Sequence, residues 1–370
     1  MSQNVPLVDL RAQMDEIAVE LAPEVERILS TAAFVGGPDV AVFERAYAEF
    51  VGVRHCIGVA NGTDAIELAL RALGVGPGDE VVVPANTFIA TAEAVARAGA
   101  TPVLVDVDQR TLLIDPALVA KAVTPRTRAV LPVHLFGQLA PVDEISSALA
   151  GTDVVIVEDA AQSQGATRHG VVSGALGRLA STSFYPGKNL GAAGDAGAVT
   201  TDDDELAERV RLLGSHGSPA KYVHDSLGFN SRLDTIQAVV LTHKLARLPA
   251  WNDRRRSAAA RYDELLADLT DVVRPAQLEG NEHVWHLYVV RVPRRDEVLA
   301  RLNAEGIGAG IHYPVPVHLT GAFADLGHGE GDFPETERAA AQILSLPIFP
   351  HITAEQQERV VSVLGDALRG

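Results

Sequence analysis

A lysine in a glycine-containing turn near the middle of the chain could act as a nucleophile. Lys188 lies in Ser183–Gly191 (SFYPGKNLG), where the apolar run Ala180–Tyr185 leads into the turn. Neighbouring glycines allow a ligand to approach closely, and burial lowers the pKa of an amine and makes it nucleophilic. Ser183, five residues earlier, offers a hydroxyl to a phosphate. Taken alone, the pattern around Lys188 is more typical of an ordinary surface-turn lysine.

A carboxylate stands at the mouth of another apolar run. Asp159 directly follows the run VVIVE, which starts at Val154. A carboxylate there is costly unless a cation neutralises it, and a protonated pyridine nitrogen would supply that cation. Such an ion pair keeps the ring protonated, which makes the ring a better electron sink. The alternative is a helix N-cap, because Asp is favoured there and Ala160-Ala161 could continue as a helix.

Two further strand ends carry residues suited to a flat, phosphorylated ligand. Gly62-Thr63-Asp64 separates the run HCIGVA from a helical pattern, and free N–H groups at a helix start bind phosphate. Phe88 follows EVVVPANT and could stack on a flat ring. The alternatives are an ordinary threonine cap and a core aromatic. The order along the chain, namely phosphate turn, aromatic, carboxylate and lysine, is more specific than any one signal. It predicts a pyridoxal-phosphate (PLP) enzyme with the cofactor on Lys188 as a Schiff base.

The elements that must position these residues alternate between short apolar runs and helical patterns. This alternation predicts a mostly parallel sheet with helices on both faces and with sites outside the carboxyl ends of the strands. The predicted strands are His55–Ala60, Glu80–Val83, Pro102–Val105, Ala129–Val133, Val154–Val157 and Ala180–Tyr185; the predicted helices are Thr63–Leu73 and Thr87–Ala98.

The second half of the chain is mainly helical. The pattern predicts one long helix from Asp234 to about Arg255, a strand over Trp285–Pro293, and helices over Arg295–Glu305 and Ala354–Leu368, the last capped by Thr353. We therefore expect two domains, a large one over residues 1–245 and a smaller α/β domain over residues 246–370.

Composition narrows the class of protein. The chain has 370 residues, 47% of them hydrophobic, and a net charge of −17, which disfavours binding to nucleic acid or to anionic membranes. No run approaches the length of a membrane helix, and Met1–Leu10 does not resemble a signal peptide. The single cysteine, Cys56, excludes an intrachain disulfide and fits the cytoplasm.

At this point the sequence resembles a known family, the sugar aminotransferases of the DegT/DnrJ/EryC1/StrS group. The resemblance covers nearly the whole chain and implies fold type I, which is aspartate aminotransferase-like, with PLP as cofactor. The stretches that carry it are Gly62–Ala65 (GTDA), Pro84–Thr91 (PANTFIAT), Val157–Gln162 (VEDAAQ), Ser183–Gly191, Gly228–Gln237 (GFNSRLDTIQ) and His312–Leu319 (HYPVPVHL).

The resemblance implies roles for individual residues. Lys188 resembles the Schiff-base lysine that also moves the proton between Cα of the amino donor and C4′ of the cofactor. The other implied cofactor contacts are Asp159 at the pyridine nitrogen, Gln162 at the 3-hydroxyl, Phe88 against the ring, and Gly62, Thr63 and Ser183 around the phosphate. Asn230 resembles a residue that reaches the phosphate from the neighbouring subunit, which implies a homodimer with shared sites.

The resemblance also implies a substrate. The block His312–His318 is similar to that of enzymes that aminate C3 of a nucleotide-linked 3-keto sugar, such as the desosamine and mycaminose 3-aminotransferases. Arg232 is then a candidate for the carboxylate of the donor, L-glutamate. The candidate contacts to the sugar or its diphosphate are Tyr185, His312, Tyr313, His318 and Lys221, the last from the partner chain.

Other interpretations remain beside this one. Amination at C4, or of a cyclitol, would use the same motifs, and a non-catalytic PLP-binding regulator could share the fold. Related dehydratases of the group, which remove a sugar hydroxyl, carry histidine where this chain has Lys188. The lysine therefore argues against that chemistry. The turn around Lys188 does not match a Walker phosphate-binding loop, and the sequence has no G-x-S-x-G motif of a serine hydrolase. His283 and His286 have no thiol or clustered carboxylate ligands near them in the sequence that would complete a metal site.

Overall fold

The computed structural model describes residues 4–369 as an α/β protein. Its helices are α1 Leu10–Thr31, α2 Pro38–Val51, α3 Gly62–Ala72, α4 Ala90–Ala98, α5 Pro116–Ala122, α6 Val142–Ala148, α7 Asp204–Gly214, α8 Thr235–Leu245, α9 Leu248–Leu265, α10 Arg295–Ala304, α11 Pro334–Gln342 and α12 Ala354–Arg369. Its strands are β1 His55–Val59, β2 Glu80–Pro84, β3 Thr101–Val105, β4 Thr127–Val130, β5 Val155–Asp159, β6 Thr167–Arg168, β7 Val171–Val172, β8 Leu179–Ser183, β9 Gly197–Thr201, β10 Asn281–Glu282, β11 Tyr288–Arg291 and β12 Ile343–Leu346.

A seven-stranded sheet with the order β1-β9-β8-β5-β4-β2-β3 forms the centre of the fold. β9 pairs antiparallel with both of its neighbours, whereas β8, β5, β4, β2 and β3 pair in parallel. The carboxyl ends of β2, β5 and β8 therefore lie at one edge, where ligand sites form in such sheets. The predicted fold class is confirmed.

The strands of this sheet are buried on both faces, which explains their continuous apolar runs. In β2, Val81 and Val83 pack into a cluster with α3, α4 and α7. The intervening Val82 packs on the opposite face with Val119 of α5 and Ile145 of α6. Side chains alternate between the two faces with a period of two residues, so one strand contributes to two cores.

A separate hydrophobic cluster joins α9, β11, β12, α10 and α12. Tyr262, Tyr288 and Leu344 are fully buried in it, and Val5 from the N-terminal segment packs there as well. Val5 exchanges backbone hydrogen bonds with Gly306 and Gly308. This cluster lies within the predicted second domain apart from Val5, and the boundary at residue 245 remains a prediction.

Two predicted elements of the second half were wrong in extent. The expected helix Asp234–Arg255 is two helices, because Pro249 near the start of α9 lacks the N–H that would continue the hydrogen bonding of α8. The expected strand Trp285–Pro293 is confined to β11, because Trp285 takes a left-handed backbone conformation with φ of 48°. By contrast, α12 begins where predicted, and the Thr353 hydroxyl accepts from the N–H of Gln356 at 3.2 Å.

Candidate active site

A cavity of about 610 Å³ opens at the carboxyl edge of the sheet. Its wall includes ten of the residues predicted as site residues: Gly62, Thr63, Phe88, Asp159, Gln162, Ser183, Tyr185, Lys188, His312 and Tyr313. These residues come from five separate stretches of the chain, and the parallel strands bring them to one place. The chain has only four lysines, and Lys188 is the one that lines this cavity.

The turn that carries Lys188 is tightly built. The Lys188 N–H donates to the Tyr185 carbonyl at 2.8 Å, and a Cβ on Gly191 would lie 2.2 Å from the Pro186 carbonyl oxygen, so only glycine fits there. Burial lowers the pKa of Lys188 to about 8, and attraction by the Asp159 carboxylate opposes that shift. Near neutral pH the amine therefore loses its proton far more easily than an exposed lysine does. The alternative of a plain surface-turn lysine is wrong.

Asp159 is the last residue of β5, and its side chain is buried against polar donors. The Thr91 hydroxyl donates to Oδ2 at 2.8 Å, and the N–H of Ala161 donates to Oδ1 at 3.2 Å. No helix follows Asp159, because residues 160–166 form turns. The N-cap alternative is therefore wrong, and the buried carboxylate faces the cavity that also receives Lys188.

The start of α3 provides a cradle for an anion. Asn61 is the N-cap and accepts the N–H of Asp64 at 2.8 Å, so the threonine-cap alternative is wrong. Gly62 and Thr63 are thereby the first helical residues, whose N–H groups lack acceptors inside a helix. A Cβ on Gly62 would lie 2.6 Å from the Cβ of Ser183, the last residue of β8. Because Gly62 has no side chain, the start of α3 can lie close to the end of β8, with the Ser183 hydroxyl near Gly62.

The aromatic and amide groups lie on the other walls. Phe88 is 53% exposed, which contradicts the core-aromatic alternative, and its ring lies 5.4 Å from that of Tyr313, centroid to centroid. Gln162 accepts the N–H of Phe136 at 2.7 Å and donates to the Tyr313 hydroxyl at 3.1 Å. These bonds fix the side-chain amide of Gln162, so Gln162 and Tyr313 act as one polar unit.

His312 is held neutral beside the amine. Its Nδ1 pairs with the Ser345 hydroxyl at 2.8 Å, and burial, assisted by repulsion from Lys188, lowers its pKa to about 4. His286 also lines the cavity, and burial lowers its pKa well below the usual value. His283 stacks on Trp285 and does not line the cavity. In the part of the chain that the structure describes, no cluster of ligating side chains could hold a metal ion.

Four predicted site residues lie away from this cavity. Lys221, Asn230 and Arg232 are exposed on the segment 216–232. His318 is buried and pairs with Glu337 at 3.0 Å, packed edge-on against Phe333. Within one chain, these four side chains do not join the group around Lys188.

Several lining residues were missing from the sequence-based prediction. Thr91 bonds Asp159, Asn61 caps the cradle helix, and Leu7 and Val8 close one side of the cavity. Thr91 and Asn61 lie within or beside motifs already recognised, so the motifs contained a signal. Leu7 and Val8 lie far along the chain from every motif and are placed by the bonds of Val5 to the C-terminal region.

These residues fit pyridoxal phosphate. A Cβ-free cradle with open amides suits a phosphate, a buried carboxylate suits the nitrogen of a protonated ring, and an amine of lowered pKa suits an aldehyde carbon. Together with the seven-stranded sheet, this site defines a fold type I PLP-dependent enzyme.

The chain belongs to the DegT/DnrJ/EryC1/StrS aminotransferase family, which it matches over residues 15–365. It is 47% identical over 360 residues to a dTDP-3-amino-3,4,6-trideoxy-alpha-D-glucose transaminase of Streptomyces venezuelae, covering 97% of this chain and 95% of that one. It is 46% identical over 368 residues to a "Pleiotropic regulatory protein" of Geobacillus stearothermophilus, covering 99% of each chain.

Solved structures agree with this membership. The structure of S. venezuelae DesV in complex with a ketimine intermediate matches with a TM-score of 0.96 and 47% identity over 98% of both chains. Other solved neighbours carry PLP or its amino form. The chain is therefore a PLP-dependent aminotransferase. Within residues 4–369, no helix has the length and hydrophobicity needed to cross a bilayer.

Proposed function

We propose that this aminotransferase moves the amino group of L-glutamate to the C3 keto carbon of a nucleotide-linked deoxyhexose, with dTDP as the nucleotide. The observation that supports the proposal is that Lys188 and Asp159 line the same cavity. The chain that contains them is 47% identical to a dTDP-3-amino-3,4,6-trideoxy-alpha-D-glucose transaminase. The printed activity of this relative, and that of a second dTDP-3-amino-3,4,6-trideoxy-alpha-D-glucose transaminase that is 44% identical, favour C3 over C4 or a cyclitol.

Lys188 is assigned the proton transfers of both half-reactions. When bound, PLP supplies an electron sink for the carbanion that forms at Cα of the donor. An amine with a pKa of about 8 can take the Cα proton when neutral and return it when charged. The buried carboxylate of Asp159 would face the ring nitrogen, and Gly62, Thr63 and Ser183 would hold the phosphate. Gln162 and Phe88 are assigned to the 3-hydroxyl and the ring face.

The remaining polar groups of the cavity are assigned to the sugar. Tyr185 is 58% exposed and lines the cavity beside Lys188, and the Tyr313 hydroxyl lies within reach of Gln162. The pKa of His312 is lowered to about 4, so its imidazole is neutral near pH 7. It can therefore donate or accept a hydrogen bond without placing a second positive charge beside Lys188.

We further propose a cytoplasmic homodimer in which the segment 216–232 completes the partner's site. The segment exposes large apolar side chains, with Tyr222 at 84% and Leu227 at 96%, which is unusual for a free surface. A two-fold interface would bury it twice and place Asn230, Arg232 and Lys221 near the partner's phosphate, donor and diphosphate. The buried free thiol of Cys56 is compatible with a reducing compartment.

The substrate proposal is tested by following the absorbance of the bound cofactor. L-glutamate alone should change the spectrum, and a panel of dTDP- and UDP-linked 3-keto and 4-keto sugars should reverse it, fastest with a dTDP-3-keto deoxysugar. Lys188→Ala should bind cofactor without turnover. A spectrum that L-glutamate leaves unchanged would favour the regulator alternative, and faster reversal by 4-keto sugars would move the reaction to C4.

The shared site is tested by mixing two inactive variants, Lys188→Ala and Asn230→Ala/Arg232→Ala. A heterodimer would contain one intact site and one doubly damaged site, so activity should recover toward half of the wild-type level per dimer. Mass spectrometry of tagged chains verifies the exchange, and mixing Lys188→Ala with wild type gives the matched control. Heterodimers that stay inactive would place Asn230 and Arg232 in their own chain's site.

A further inference from the structure

Two threonine hydroxyls lie behind the carboxylate of Asp159 in a continuous hydrogen-bonded row. Thr91 Oγ1 lies 2.8 Å from Asp159 Oδ2, and Thr87 Oγ1 lies 2.5 Å from Thr91 Oγ1. The backbone N–H of Phe88 donates to Thr87 Oγ1 at 3.0 Å. Thr87 is 3% exposed and Thr91 is 1% exposed, so water does not compete for these bonds.

The proton on each hydroxyl can be located by elimination. A charged carboxylate only accepts, so Thr91 must use its one proton on Asp159. Thr91 then has none for Thr87, so Thr87 donates to Thr91 and itself accepts the N–H of Phe88. The row therefore runs in one direction, from the Phe88 backbone through Thr87 and Thr91 to Asp159.

The row also has a second state. Thr87 Oγ1 lies 3.3 Å from the Phe88 carbonyl oxygen, which can accept its proton. If Asp159 took up a proton, it could donate to Thr91, Thr91 to Thr87, and Thr87 to this carbonyl. Two hydroxyl rotations then match the row to either charge state of the carboxyl, with no buried group left without a partner.

We infer that Thr91 and Thr87 are positioning residues that hold the carboxylate of Asp159 aimed at the ring nitrogen of the bound cofactor. The inference rests on the proposed role of Asp159. The Ala161 N–H fixes one carboxylate oxygen and Thr91 the other, so the carboxylate cannot rotate freely. The row begins at the backbone N–H of Phe88 and ends at Asp159. It therefore connects Phe88, which is assigned to the ring face, with Asp159, which is assigned to the ring nitrogen.

Removing the Thr91 hydroxyl should weaken cofactor binding and change the cofactor's spectrum. The Thr91–Asp159 bond is already present without PLP, so its loss changes affinity only by leaving the carboxylate free to turn away from the ring nitrogen. Thr91→Val should therefore raise the PLP dissociation constant by no more than the about tenfold to about a hundredfold that a hydrogen bond to a charged group represents. A carboxylate that lacks this donor is more basic and draws the ring proton toward itself. The ring then withdraws fewer electrons, so the titration midpoint of the cofactor's absorbance band should move to higher pH.

The experiment measures PLP affinity of the apo-protein and the spectral titration of the holo-protein in four variants. We expect the effect to fall in the order Thr91→Val, Thr87→Val, Thr91→Ser, with the serine variant close to wild type because it keeps the hydroxyl. Thr200→Val is the matched control, since it removes a buried hydroxyl that donates at 2.8 Å to the Gly174 carbonyl away from the cavity. It should leave affinity and midpoint unchanged.

Each outcome decides the inference. Unchanged affinity and midpoint in Thr91→Val would overturn it, and so would equal losses in Thr91→Val and Thr200→Val, which indicate a general loss of packing. If Thr91→Val does not fold, Thr87→Val decides, and an unmoved midpoint there overturns the inference. Asp159→Asn separates this failure from that of the proposed function: if that variant also keeps affinity and midpoint, the assigned role of Asp159 is wrong.

Discussion

Substituting Gly62 by alanine should damage both stability and the phosphate cradle. The new Cβ would lie 2.6 Å from Ser183 Cβ and 3.2 Å from Ser183 Oγ, about 1 Å closer than ordinary contact at the first pair. Overpacking of this kind costs about 1–3 kcal/mol. We therefore expect the free energy of unfolding of the apo-protein to fall by about 2 kcal/mol in urea denaturation, and PLP affinity to fall as the cradle widens.

A second substitution shows whether this contact is the cause. Ser183→Gly removes the nearest atoms and by itself should cost about 1 kcal/mol through added backbone freedom. In the double variant the contact at 2.6 Å is gone and only the Cα of residue 183, at 3.2 Å, still crowds the new Cβ. The loss of stability in the double variant should therefore be smaller than the sum of the two single losses by about 1–2 kcal/mol. Gly321→Ala, where no atom lies within 4 Å of the new Cβ, is the control. Additive losses would refute the steric reasoning.

Three other predictions address charge. Asp159→Asn should slow turnover more than about tenfold, because a neutral amide does not stabilise the protonated ring; single-turnover kinetics measures this rate. Glu158→Gln should lower the free energy of unfolding in urea by about 3 kcal/mol. The reason is that Glu158 is fully buried and accepts from His134 and three backbone N–H groups. The exposed Glu49→Gln is the control, and an equal loss in both variants would contradict a structural role of the buried carboxylate. The pKa of His312 is lowered to about 4, so the unfolded chain binds its proton first and stability is lost as pH falls from 6.5 to 4. His312→Gln should flatten that part of the stability profile, and an unchanged acid slope would count against a neutral, buried imidazole.

The central sheet was predictable because its strands are buried on both faces. Runs such as EVVV and VVIV have no polar alternation, and each is followed within a few residues by a residue of the site, Phe88 or Asp159. For the same reason the site residues at the ends of β5 and β8 could be found from their positions. The parallel pairing then placed them at one edge.

The errors arose where a single residue outweighs a periodic pattern. Pro249 interrupts an apolar periodicity that otherwise runs across α8 and α9. Trp285 has high strand propensity, yet its neighbours bond the turn at residues 136–137, and its left-handed backbone ends the pattern there. The effect of Pro249 is local and lies in the sequence itself, whereas contacts with a distant part of the chain decide the case of Trp285.

Parts of the site also depend on long-range contacts. The pairing of Thr91 with Asp159 spans 68 positions, and Leu7 reaches the cavity through the bonds of the N-terminal segment to residues 306–308. The N-cap role of Asn61 was within reach of the sequence, because Asn ranks with Asp as a cap and Asp64 follows three residues later.

The most direct test of the account is to find which amine holds the cofactor. Reduction of the holo-protein with borohydride, followed by peptide mapping with mass spectrometry, locates the stable adduct among the four lysines, Lys121, Lys188, Lys221 and Lys244. Lys244 is a demanding comparison, since it is buried and its pKa is also lowered to about 8, but its amine donates to the Gly191 carbonyl and lies outside the cavity. We expect the adduct on Lys188 alone. An adduct on Lys244 or on either of the other two lysines, or no adduct in a holo-protein that turns over, would contradict it.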